Sequence, residues 1–137
     1  MTTFGHKTHE LGRLTLLCDA AITLEFALVK LGSDVDHVAV TADTTDKPLG
    51  IAYSKTDEAE QEVTVQLLGK GADTKGAVAS GAITYDDRLI AAAADGYVAT
   101  LPGDAGTYWV IGRALETVAD GAAIEFDDCQ PYPVVVG

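Results

Sequence analysis

The sequence predicts an all-β fold: a small antiparallel β-barrel or β-sandwich built of two similar halves, with at most one short helix. Three observations predict it. Short apolar runs are punctuated by Gly, Asp and Pro along most of the 137 residues. Inside the runs, apolar and polar residues alternate with period two, as expected of a sheet with one wet face. The runs also recur. Ala21-Ile22-Thr23, Leu28, Val38-Ala39, Gly50-x-Ala52 and Val63-x-Val65 return as Ala82-Ile83-Thr84, Leu89, Val98-Ala99, Gly112-x-Ala114 and Ile124-x-Phe126. The spacing is about 61 residues throughout, and a unit of that size is too small to bury its own apolar face.

Taken in order, residues 1–12 lack periodicity and read as an extended N-terminal arm with isolated apolar Phe4 and Leu11. Candidate strands in the barrel domain, residues 13–128, are 13–18, 26–31, 36–41, 49–54, 62–68, 88–92, 96–101, 108–115 and 122–127. Alternation is clearest in Glu62-Val63-Thr64-Val65-Gln66-Leu67 and in Ala122-Ala123-Ile124-Glu125-Phe126, where Ile124 and Phe126 lie opposite Glu125. Helix is expected only as short turns at Thr74–Gly81 and around Leu89–Ala94, where Gly76, Gly81 and Gly96 limit length. Asp43–Pro48 and Leu101–Gly106 read as loops. Residues 129–137 form a tail extended by Pro131 and Pro133, whose apolar end needs a neighbour to cover it.

The formal charge of −12 excludes nucleic acid as a partner, since phosphate neutralisation needs clustered Lys and Arg and the nine here are scattered. Binding to an anionic membrane surface fails for the same reason, and no apolar stretch is long enough to span a bilayer. The beginning, Met1-Thr2-Thr3-Phe4-Gly5-His6, has neither the charged nor the apolar region of a signal peptide. Cys18 and Cys129 match no metal spacing and are expected to be free thiols, as in a cytoplasm.

No catalytic residues are expected. Ser33, Ser54 and Ser80 lie in no Gly-x-Ser-x-Gly elbow, and Gly69-Lys70-Gly71 lacks the Ser/Thr ending of a phosphate loop. His6-x-x-His9 is half of a metal site without the other half, and Asp34-x-Asp36 lacks the distal ligands calcium requires. His37 opens a strand and reads as solvated. No metal and no cofactor is expected.

The ordered set of motifs resembles the bacteriophage capsid decoration (cement) proteins. It runs through Ala-Ile-Thr, Leu-Val-Lys, Val-Ala-Val-Thr, Pro-Leu-Gly-Ile-Ala and Val-Thr-Val-Gln-Leu-Leu-Gly. It continues through Ala82-Ile83-Thr84, Asp87-x-Leu89, Asp95-Gly96-Tyr97-Val98, Ile111–Glu116 and Gly121–Phe126, covering about residues 13 to 128. The pattern departs at Asp86, where glycine would be expected; Asp tolerates a left-handed backbone, so the turn can survive.

This resemblance implies a non-enzymatic head-stabilising protein made in the host cytoplasm. It would sit on the outer capsid surface of the virion as a homotrimer and contact several copies of the major capsid protein. The residues expected to touch the capsid or a neighbouring subunit are Phe4, His6, His9, Leu11, Trp109 and Tyr132. Tyr108 and Trp109 are adjacent on one strand, so one should be core and the other free to anchor an interface. The competing expectation is a β-barrel module binding a glycan or small molecule on the virion surface, which calls for an aromatic-lined groove.

Overall fold

A computed structural model describes residues 12–70 and 73–137. The arm expected over residues 1–12, with Phe4, His6, His9 and Leu11, lies outside the described residues apart from Gly12. The described residues form ten strands: β1 (Arg13–Cys18), β2 (Ala27–Leu31), β3 (His37–Val40), β4 (Gly50–Ala52), β5 (Glu62–Leu67), β6 (Lys75–Val78), β7 (Arg88–Ala91), β8 (Val98–Thr100), β9 (Gly106–Ala114) and β10 (Ala123–Val136). The fold is all-β.

The two halves share one topology. β1 to β5 close into a barrel in the order β1-β3-β2-β4-β5. β6 to β10 repeat it as a sheet in the order β6-β10-β9-β7-β8, with one parallel bridge, Ala79 to Val98, where the first barrel has the parallel β1–β3 pairing. Backbone hydrogen bonds recur in step. Cys18 N–H donates to Gln61 O at 3.1 Å, and Ala79 N–H to Ala122 O at 2.9 Å. Gly32 N–H donates to His37 O at 2.8 Å, and Ala92 N–H to Tyr97 O at 3.0 Å. The repeat read from the sequence is therefore a structural one.

Burial explains why neither half stands alone. Ala27, Val29, Val38, Ala52, Val63 and Val65 fill the first barrel. Leu28 and Ile51, on the alternate face of β2 and β4, join Ile83, Leu89, Ile111, Ile124 and Phe126 of the second half in a shared core. Ala27–Val29 of β2 and all of β4 are thus covered on both faces, and these stretches, Ala-Leu-Val and Gly-Ile-Ala, are apolar without alternation. The backbone of Gly96 adds a clamp: its carbonyl accepts from Leu28 N–H at 2.9 Å and its N–H donates to Thr41 O at 2.8 Å.

Gly50 and Gly112 hold equivalent places, each where its strand crosses the next too closely for a side chain. A Cβ on either would lie 2.3 Å from a carbonyl oxygen, that of Gln66 or that of Asp127. Asp86 does occupy the left-handed region, at φ 73, so the turn survives without glycine there.

Two expectations need correction. Residues 74–81 are not a helical turn. Lys75–Val78 form β6, paired antiparallel with Ala123–Phe126, because cross-strand pairing overrides the weak local preference of Lys-Gly-Ala-Val. Leu89–Ala94 is not helical either: Arg88–Ala91 are strand β7, whose Ala91 is buried, and Ala93 and Ala94 lie exposed in the bend that follows. Residues 129–136 of the expected tail are the distal part of β10, paired with β9 from Tyr132 to Val136 beyond a register shift between Asp128 and Tyr132. Its apolar end is covered within the chain on one face only: Val134 and Val136 pack on Ile90, Tyr108 and Val110, while Val135 is exposed.

Gly50→Ala or Gly112→Ala is expected to destabilise the protein by about 3 kcal/mol. Gly103→Ala, where a Cβ meets nothing within 4 Å, should leave stability within about 0.5 kcal/mol. Urea unfolding of the three variants measures this.

Candidate functional site

Trp109 and Tyr132 come together on the β9–β10 ribbon but on opposite faces. Trp109 pairs with Pro133, while Tyr132 pairs with Val110, whose side chain is buried. Tyr108 is the core member of the aromatic pair: it is buried, and its hydroxyl donates to Asp104 O at 3.1 Å. Trp109 is half-buried beneath Lys47, whose ammonium lies 4.7 Å from the ring centroid. Tyr132 is 42% exposed. Phe4, His6, His9 and Leu11 are outside the described residues.

The loop carrying Lys47 is built around one carboxylate. Asp46 accepts from Ala42 N–H at 2.9 Å, Asp43 N–H at 3.1 Å and the Lys30 ammonium at 3.0 Å. Burial pushes its carboxyl up, but those donors outweigh burial and hold it below the usual value. The loop at 43–48 is therefore braced from within the first half, and its Lys47 reaches Trp109 of the second.

His37 opens β3 as expected, but its imidazole is engaged at both nitrogens. Nδ1 faces Val35 O at 2.9 Å and Nε2 faces the Glu60 carboxylate at 2.8 Å. Two acceptors suit the doubly protonated ring, so the Val35 carbonyl and then Glu60 raise its pKa above 6.5.

The second half also contains a buried ion pair. Lys75 Nζ lies 3.3 Å from Asp128 Oδ2, with side chains only 2% and 6% exposed, and Gly69 N–H donates to the same oxygen at 2.7 Å. The equivalent positions of the first half are Leu14 and Leu67. The pair ties the turn after β5 to β10, just before its register shift.

Sequence reasoning had no means of finding a groove of about 380 Å³ lined by Phe26, Tyr53, Thr74, Gly76, Glu116 and Glu125, among others. Its residues come from distant segments, and both halves contribute. Phe26 and Tyr53 meet edge to face, with centroids 5.2 Å apart. Among the described residues, no three His, Cys, Asp or Glu side chains cluster as metal ligands do. Both cysteines are free thiols: Cys18 is buried against Thr56 and Glu58 O, and burial raises Cys129.

No family model matches the chain, and no curated protein matches it. The fold is similar to a solved structure described as the head fiber gp8.5 N base in bacteriophage phi29, with a TM-score of 0.65. That likeness covers 87% of this chain and 94% of the other at 17% sequence identity, and it is a likeness of fold.

Two outcomes are expected. In an NMR titration His37 should titrate above 6.5, and Glu60→Gln should lower its pKa without removing the Val35 contribution. Because the folded pKa is the higher one, the stabilisation from this contact is full below pH 6.5 and fades as pH rises through the folded value. Lys75→Met, which strands the Asp128 carboxylate, should cost about 3–5 kcal/mol in chemical denaturation.

Proposed function

We propose that this chain is a non-enzymatic decoration (cement) protein of a phage head. It binds the outer capsid surface, contacts several copies of the major capsid protein and stabilises the shell. The observation that carries this reading is the likeness, over nearly the whole of both chains, to the base of a phage head fibre. The motif order over residues 13–128 supports it independently. The acidic surface suits a basic partner, and rigid loops on a closed barrel offer a preformed shape at low entropic cost.

In this reading the protein is made in the host cytoplasm, assembles as a homotrimer and joins the virion on its outside. Phe4, His6, His9 and Leu11 of the arm over residues 1–12 reach the capsid or a neighbouring subunit. Trp109 and Tyr132 sit on the β9–β10 ribbon, where Tyr132 is accessible to a partner and Trp109 would first release Lys47.

The test is sedimentation with expanded shells of the phage that encodes the chain, stripped of decoration. The protein should run in solution at three times its 14.2 kDa chain mass and pellet with the shells. Deleting residues 1–10 should weaken pelleting. A monomer without shell affinity would overturn the reading, and retention on a carbohydrate array instead would favour a glycan-binding module.

A further inference from the structure

Glu116 and Glu125 face the groove whose other wall is the Phe26–Tyr53 ring pair. Each carboxylate is set by one hydrogen bond at Oε2. Glu116 accepts from Glu125 N–H at 3.0 Å, and Glu125 accepts from the Thr74 hydroxyl at 2.6 Å. Among the described residues, no hydrogen bond or ion pair engages the Oε1 atom of either. The cation lining the same groove, Lys75, is turned away into its buried contact with Asp128. Two oriented, uncompensated negative charges therefore stand beside an aromatic surface.

This arrangement is not inherited from the repeat. The positions equivalent to Glu116 and Glu125 in the first half are Ser54 and Thr64, where the Tyr53–Thr64 hydrogen bond matches that of Leu115 with Glu125. Phe26 is held at φ 60, a conformation bulky side chains avoid, so its ring stands in the groove against a backbone cost.

A cation in the groove answers the charge of the carboxylates that line it, and a flat one also covers the rings. The guanidinium group meets both demands: its planar fork offers N–H donors to two carboxylates while its face lies on an aromatic ring. An ammonium supplies the charge without the fork. A sugar supplies hydroxyls and leaves both charges unanswered.

We propose that this groove receives an arginine side chain presented by the protein on which the chain docks. The identity of that partner rests on the shell-binding reading above; the chemistry of the site does not.

The test has two arms on the full chain. In the first, amide shifts are followed by NMR during titration with N-acetyl-arginine methylamide, the lysine analogue and methyl glucoside. Shifts at Phe26, Thr74 and Gly76 with the arginine compound, abolished by Glu116→Gln with Glu125→Gln, are expected. No shift there, an equal response to lysine, or a response to the glucoside alone would overturn the proposal. The glutamines keep an acceptor oxygen for each existing hydrogen bond, so the fold survives the change. In the second arm the double variant should pellet with shells about 10-fold more weakly than the natural chain. Unchanged pelleting would overturn this inference while leaving shell binding intact; failure of the natural chain to pellet would overturn shell binding, with the first arm still deciding the groove.

Discussion

Two glycines set the shape of this molecule. At Gly50 and Gly112 a strand passes so close to its neighbour that a single methyl group would press on a carbonyl oxygen. The close approach lets β4 and β9 carry Ile51 and Ile111 into the shared core while Ala52 and Val110 face the other way. Because each half presents one apolar face beyond its own interior, the halves must meet. The Gly96 clamp and the Lys47–Trp109 contact then fix how they meet. The stability of either half is thus inseparable from that of the other.

What distinguishes the halves is where chemistry can reside. The first is a closed barrel with short β4 and β5; the second stretches the same strands into a ribbon of 9 and 14 residues. Where the first half places the half-buried Leu14 and Leu67, the second buries the side chains of Lys75 and Asp128. A buried ion pair is weak evidence for stability but fixes geometry well, since a displaced partner leaves a bare charge behind. Here it holds the segment before β6, and with it Thr74, next to the groove.

Much of the fold was legible because its signals are local. Alternating aliphatics named the strands, turn residues separated them, and the 61-residue spacing exposed the two halves. At Asp86 the resemblance implied a turn position where glycine is expected, Asp chemistry tolerates that backbone, and φ 73 agrees. β6 was hidden because Lys75-Gly76-Ala77-Val78 becomes a strand only through β10. The distal part of β10 was hidden by Pro131 and Pro133, which a sheet tolerates at a register shift or on an edge. Glu125 was legible as the wet side of a strand, but its company with Glu116, Phe26 and Tyr53 exists only in three dimensions. Of the residues singled out for contact, Trp109 and Tyr132 proved to share a ribbon, which no spacing rule could have told.

The most direct measurement is a cryo-EM reconstruction of bare shells incubated with the protein. Density for the protein on the outer surface, around three-fold positions and touching several capsid subunits, is the predicted result. A shell whose outside stays bare at saturating protein would contradict it.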